Sequence, residues 1–492
     1  MMKLFARKLA LVWLGLIIIL SLCCAEKGRE EAKTPDKKTT QKETEPNVVA
    51  KIGDYTIIKE ELEKRLMTEL RPNPYEPRSE TETPDAKTVL MIMIAEKAMV
   101  IEARRQKFQE DETIQAVLKQ YKEKNLVNLL LTNYLQGKIN ITDSEIDEKM
   151  KADPKLDRAR AQAMLARDKS GEIINQYYNE LYKKFHVQKK VDNFYKTAQI
   201  HQRLLLNPKE PRKAVFIRIN QVKNELTTEE KNIVLATYDK GKITLKDWFD
   251  ALCELSPPSR PRDLHTPKGV EQLLERALRM PVFVAEANLY GFDKDENLIK
   301  QVTEYEDGIL LNKTRSEKVK DIKGPIPDEQ IVEYFNKNKE DFGIQNTLKI
   351  DQIWCKDIKT AQKAKAELDN GKDFEEVKKA FSLQEKSFPF NTSFSSEGMF
   401  FKDLWASDPN EIVGPIKGFH PDGIKWRIVK ILEKTPATLK EYSVDMKRRI
   451  EMKMLDEQRN TTLEKYRKDL LEKYSYEIYD DKIRDIDPLD IP

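Results

Sequence analysis

The sequence predicts an α+β protein that is mostly helical: two related helical modules, with a smaller α/β domain inserted in the second. Three observations predict it. Charged residues make up 35% of the 492, and mean hydropathy is −0.67, so solvated helix faces outnumber long apolar runs. A set of landmarks recurs in the same order in the two halves. Between about Gly343 and Pro436 the second half carries a strand, helix, helix, strand pattern that the first half lacks.

The N-terminus stands apart from this plan. Lys3, Arg7 and Lys8 precede an apolar run from Leu9 to Leu22, shorter than the roughly 20 residues of a membrane helix. A basic end before a short apolar core is an export signal. The run closes in "LSLCCAEK", which resembles a bacterial lipoprotein signal, whose final cysteine is lipidated and becomes the first residue of the mature chain. That resemblance implies lipidation at Cys24, with Cys23 as the alternative, since Leu20 and Ser21 suit Cys23 but bulky Leu22 precedes it. Ordinary cleavage without lipid is the competing reading. Residues 1–24 are then a signal. Residues 25–47 are polar, mixed in charge and poor in apolar side chains, so they form a flexible tether with a reach of roughly 25 Å.

Residues 48–190 and 232–342 are the two modules. "VVAKIGDYTIIKEEL" opens the first at Val48 and "IVLATYDKGKITLKDWF" the second at Ile233, each a short strand, a turn, a second strand and a helix. Lys59-Glu60 is matched with Lys246-Asp247, and Leu62 with Phe249. Further on, Glu102-Ala103 matches Glu286-Ala287, Phe108 matches Phe292, and Asp111-Glu112 matches Asp295-Glu296. A helix start with an acidic first turn then occurs twice, in "ITDSEIDEKM" from Ile141, where Thr142 and Glu145 form a capping box, and in "IPDEQIVEYF" from Ile326. The helix "NQYYNELYKKFHV" from Asn175 is matched by "LEKYRKDLLEKYSYEI" from Leu463, within a C-terminal segment 437–485 expected to pack on the second module. Met91, Ile94, Ala95, Ala98 and Ile101 form one apolar stripe at helical spacing, and Leu463, Tyr466 and Leu470 another. Pro281 is expected to kink or break the second module's counterpart of the first stripe. The fold of 191–231 is not legible.

The insert, 343–436, begins with the strand-like "NTLKIDQIWCKD". Ala361, Ala364, Leu368, Gly371, Phe374 and Ser382 follow in a helix–Gly–helix pattern, then Glu411 to Ile416, a Pro421-Asp422-Gly423 turn, and Trp426 to Leu432. This order resembles the parvulin (PpiC-type) family of peptidyl-prolyl isomerases. The flanking copies resemble the N-terminal chaperone domain of SurA-type periplasmic chaperones and of lipid-anchored PrsA-type foldases. The resemblance implies a polar centre with one histidine on the first strand and one on the last. Gln352 stands at the first position and Arg427 at the second. His420, in "GFH" just before the turn, is the alternative counterpart of the second. With both positions replaced, the resemblance implies a parvulin scaffold without its catalysis.

Other chemistries find no support in the sequence. With 87 basic against 84 acidic residues there is no global field for nucleic acid. Cys253 and Cys355 stand outside any CxxC, and the four histidines are scattered, so no metal and no cofactor is expected and the thiols read as small buried hydrophobes. There is no P-loop, HExxH or nucleophile elbow. The resemblance implies a periplasmic chaperone, lipid-anchored at the outer membrane, binding unfolded or outer-membrane polypeptides. Met446, Met452 and Met454 are candidate adaptable contacts. The alternatives are an active parvulin-type isomerase and a surface-exposed lipoprotein that binds other macromolecules.

Overall fold

The computed structural model describes residues 47–72, 85–209, 216–384 and 387–491. Cys23, Cys24, the signal and all of the tether but Asn47 lie outside the described residues. Helix accounts for 63% of the structure, beside three small antiparallel sheets among the described residues, so the class is α+β and mostly helical. No helix among the described residues is long and apolar enough to cross a membrane.

The first copy runs β1 (Val48–Ile52), β2 (Tyr55–Ile58), α1 (Lys59–Leu70), α2 (Ala86–Arg105), α3 (Glu112–Leu135), α4 (Asp143–Ala152), α5 (Arg158–Lys184) and β3 (Gln188–Lys189). A connecting helix α6 (Phe194–Leu206) leads to the second copy: β4 (Val234–Tyr238), β5 (Gly241–Thr244), α7 (Leu245–Glu254), α8 (Pro267–Leu289), α9 (Glu296–Val319) and α10 (Asp328–Lys337). The insert holds β6 (Thr347–Cys355), α11 (Ile358–Asp369), α12 (Phe374–Phe381), β7 (Phe390–Ser393), α13 (Phe401–Ala406), β8 (Ile412–His420) and β9 (Gly423–Thr435). The second copy then resumes with α14 (Lys447–Lys473) and β10 (Tyr476–Ile478).

The backbone repeats in detail. Both opening hairpins carry the same irregularity, at Val48/Ala50 and at Val234/Ala236. Lys107 (φ 61°) and Gly291 (φ 74°) both sit in the left-handed region just past the second helix, each followed by one 3₁₀ turn and a 24-residue helix. The sequence pairing of the first helices is one residue out. Glu61 accepts from the Ile58 N–H at 3.2 Å, and Asp247 accepts from the Thr244 N–H at 2.8 Å. These caps, of which only that at Thr244 is reciprocal, align Glu61 with Asp247 and Leu62 with Trp248. Trp248 and Phe249 are adjacent and both fully buried, so an apolar match alone leaves the register open. The capping box at Thr142 and Glu145 forms, but α10 follows Pro327 with no side-chain cap, and only the acidic first turn recurs there. α8 runs unbroken through Pro281, whose neighbours Val282 and Phe283 are buried; packing of the apolar face holds the helix where local preference would end it.

The chain forms two compact units, and neither follows the sequence repeat. One holds residues 112–306; the other joins the segment ending at 111 to residues 307–491. Each unit takes the opening of one copy and the close of the other. In the first, β3 pairs with β4, with Lys189 opposite Ala236. In the second, β10 pairs with β1 at the equivalent register, Ile478 opposite Ala50. The spans 48–190 and 232–342 are therefore units of sequence rather than of packing. α14 packs on α2 of the first copy as well as on α10, instead of on the second module alone. The matched pair Glu102 and Glu286 fasten the exchange. Buried Glu102 accepts from Lys473 Nζ and Tyr474 Oη, both at 2.7 Å, and buried Glu286 accepts from Lys184 Nζ at 2.6 Å. The described residues of 191–231 belong to the first unit. There α6 buries Phe194, Ala198 and Leu204 in a core with Trp248, whose indole N–H donates to the Val270 carbonyl at 3.0 Å.

Candidate polypeptide-binding site

The insert is one four-stranded antiparallel sheet in the order β7-β6-β9-β8. The two-residue period of a strand divides β6 and β9 between two faces. Ile353, Cys355 and Ile428 face α11 and α12, where they meet Ala361, Ala364 and Phe374. Leu348, Ile350, Val429 and Ile431 face Phe401 and Leu404 of α13. That second face becomes polar where Gln352, Trp354 and Arg427 come together.

Arg427 is 1% exposed. Its Nη2 donates to Glu397 Oε2 at 2.6 Å and its Nη1 to Gln352 Oε1 at 2.9 Å. The other oxygen of Glu397 accepts from the Thr392 hydroxyl at 2.8 Å. The guanidinium lies 5.0 Å from the Trp354 ring centroid, and Trp354 meets His420 edge-on at 5.2 Å. Gly418 makes room for the cation, since a Cβ there would stand 2.3 Å from Arg427 Nε. The structure thus brings Gln352, Arg427 and His420 onto one face. A cation buried against a carboxylate, with its planar guanidinium beside an indole ring, is a packed structural element. His420 is buried at the end of β8; burial lowers the pKa of its imidazole against the opposing pull of Asp422, and its Nδ1 accepts from the Asp422 N–H at 3.2 Å.

Sequence reasoning missed Glu397 and Trp354. A cation at an expected imidazole position, inside a strand otherwise apolar on that face, signals that a buried anion must be nearby. It also missed the buried pair on the opposite face, where Lys378 Nζ donates to Asp351 Oδ1 at 2.6 Å. Cys355 is buried as expected and Cys253 only half-buried; burial pushes both thiols up to about 11, away from thiolate chemistry. Of the three candidate methionines only Met452 is exposed; Met446 and Met454 pack against the core around Ile331 and Phe335.

Fold and site together define a helical protein carrying a sheet domain whose polar centre is a closed ion pair. No family model and no curated protein matches the chain. Among solved structures it is similar to a SurA-like chaperone of Campylobacter jejuni, at 16% identity over 50% of this chain and 100% of that one, with a TM-score of 0.25. It is similar to the foldase PrsA of Streptococcus pneumoniae, at 18% identity over 41% and 76%, TM-score 0.24. It is also similar to PrsA of Bacillus subtilis, at 17% identity over 52% and 98%, TM-score 0.19. At such scores the likeness says nothing of what this chain does.

Proposed function

We propose that this chain is an extracytoplasmic chaperone that holds unfolded or outer-membrane polypeptides, anchored by lipid at Cys24 or Cys23, and that its parvulin-like insert does not catalyse prolyl isomerisation. One observation carries the second half of this reading: the Arg427–Glu397–Gln352 network fills the place where the resemblance calls for two imidazoles. Rotation about an X-Pro bond faces a barrier of about 18–20 kcal/mol, and lowering it requires groups that bind the twisted amide better than the planar one. Both Nη groups of the guanidinium are committed to an amide and a carboxylate, and Nε is enclosed without a partner against Gly418, so the cation is not aimed at an incoming amide.

Binding without chemistry needs accessible apolar surface. Leu289, Tyr290 and Ile299 in one unit, and Leu383, Phe388 and Phe390 in the insert, are exposed. Side chains of this kind suit broad, weak capture of unfolded chains. The test has two arms on the purified chain. Excess chain should suppress aggregation of an unfolded porin, and it should leave the isomerisation rate of a proline peptide at the uncatalysed value. Isomerisation at a rate typical of parvulins would overturn the second half of the reading, and unaltered porin aggregation the first.

A further inference from the structure

In the 112–306 unit two stretches of chain run side by side, 216–219 and 253–262. Arg260 Nη1 donates to the Ile217 carbonyl at 2.9 Å, and its Nε to the Leu255 carbonyl at 3.1 Å. The Phe216 ring carries two guanidinia, Arg218 at 5.0 Å and Arg260 at 5.7 Å from its centroid. Arg262 is exposed two residues further on, and Lys268 is exposed in the first turn of α8. Arg218, Arg260, Arg262 and Lys268 form no ion pair among the described residues. Other cations of the unit are answered: Lys189 by Glu271 and Arg203 by Glu230, each at 2.7 Å. Asp250 and Glu254 act on Cys253 together with Arg260, but Asp250 holds Lys246 at 2.7 Å and Glu254 faces Arg276. Arg260 and His265 lie near buried His201, where after burial itself they are what disfavours a proton. Positive charge at this end of the unit is therefore uncompensated. Two aliphatic side chains stand beside it: Leu206, at the end of α6, is 61% exposed, and Ile219, next to Arg218, is 51% exposed. Gln221 Nε2 donates to the Leu204 carbonyl at 2.7 Å, which brings those two segments together.

We propose that this face docks directly on an anionic phospholipid surface, with the four cations among the headgroup phosphates and Leu206 and Ile219 inserted just beneath them. Charge complementarity selects the partner: unpaired cations beside exposed aliphatic side chains match a boundary that is negative outside and apolar below. Fluid headgroups rearrange around four charges wherever these sit, whereas a folded protein partner would need carboxylates at matching fixed places. Guanidinia stacked on the Phe216 ring are held in place, so little side-chain freedom is lost on docking. The proposal is independent of the chaperone reading and of lipidation.

The test uses residues 25–492, which carry neither cysteine of the anchor, and sedimentation with vesicles of phosphatidylglycerol and phosphatidylcholine in equal parts. The chain should bind these vesicles, and high salt should release it. Arg218→Gln/Arg262→Gln/Lys268→Gln should bind about 100-fold more weakly, since each basic residue at an anionic surface is worth roughly fivefold. Lys119→Gln/Lys122→Gln/Lys124→Gln takes the same charge from exposed positions of α3 in the same unit and should bind as the unaltered chain does. Leu206→Ser/Ile219→Ser should weaken binding about tenfold. All of these side chains are exposed, so the variants keep the fold. An equal loss in the two charge variants, undiminished binding in Leu206→Ser/Ile219→Ser, or equal binding to vesicles of phosphatidylcholine alone overturns the proposal. So does a chain that ignores the vesicles but binds poly-glutamate with the same residue dependence, which would mark a site for acidic polypeptide.

Discussion

Replacing Arg427 by Met tests whether the centre of the insert is a structural ion pair. The side chain is 1% exposed and makes two charge-assisted hydrogen bonds, at 2.6 Å to Glu397 and 2.9 Å to Gln352. Met fills much of the space but leaves Glu397, itself 5% exposed, with the Thr392 hydroxyl as its remaining bond. Removing one partner of a buried pair costs about 3–5 kcal/mol, most of it the stranded charge. At about 1.4 kcal/mol per tenfold, local opening of β6 and β9 should rise by a factor of at least about 100. Hydrogen exchange of peptides covering 347–355 and 424–431 reads this opening directly, free of transitions elsewhere in the chain. The double variant Arg427→Met/Glu397→Leu removes both charges and should recover most of the loss, since well-packed apolar replacements of buried pairs are often close to neutral. If Arg427→Met alone costs under about 1 kcal/mol, or if the double variant is no better than the single, the pair is not what closes this face.

Four further outcomes are expected. Gly418→Val should loosen the same two peptides by a comparable factor, because its Cβ must displace the guanidinium 2.3 Å away. Glu102→Gln should destabilise the β1–β10 pairing by roughly 1–3 kcal/mol, seen as faster exchange at 48–52, as it weakens bonds from Arg105, Lys473 and Tyr474 that hold the Glu102 carboxyl well below the usual range. Burial, helped by Arg260 and His265, lowers His201 to about 4 from 6.5. The folded 112–306 unit therefore refuses a proton that the unfolded chain accepts: its stability is complete above pH 6.5, falls by about 3 kcal/mol as pH drops to 4, and levels below. His201→Phe, which keeps a ring beside Trp248 and Phe249, should remove that slope in urea titrations. Finally, a clickable palmitate analogue should label the chain in cells and fail to label Cys24→Ser; labelling lost only in Cys23→Ser would move the anchor by one residue.

The elements legible in the sequence were those with strong local signals. The Thr142–Glu145 box, the Gly371 turn between α11 and α12, and the Pro421-Asp422-Gly423 hairpin all form where composition places them, because each is decided within a few residues. Gln352, Arg427 and His420 were named from the resemblance to the parvulin motifs, and the strand pairing brings them to one face. What spacing could not give was partnership across distance. Glu397 lies in an irregular stretch, and its role exists only because Arg427 is buried beside it. The contact of Arg71 and Pro72 with Gly398 and His420 joins residues over 300 positions apart in the sequence. Pro281 failed as a helix breaker for a related reason: local preference lost to burial on both sides. Most instructive is β3. Its two residues carry no strand signal, and they pair with β4 because the next copy offers an open edge.

That exchange explains why the second copy tolerates an insert. Each unit needs the opening of one copy and the close of the other, so any segment placed between α10 and α14 must return the chain to where it left. The insert does so through its own ends: the N–H of Ile344 donates to the Thr438 carbonyl at 2.8 Å, and the N–H of Thr438 to the Ile344 carbonyl at 3.0 Å. A domain whose termini are already paired can be added to a loop at little entropic cost, because loop closure grows only slowly with length and here the closure is made by the insert itself. α10 and α14 then meet around Ile331, Phe335 and Ile450, with the insert leaving their packing intact. The side chains at the insert's centre can therefore change without loss of the host's fold. Nothing in the packing of α10 on α14 or in the β1–β10 pairing involves the Arg427–Glu397 pair.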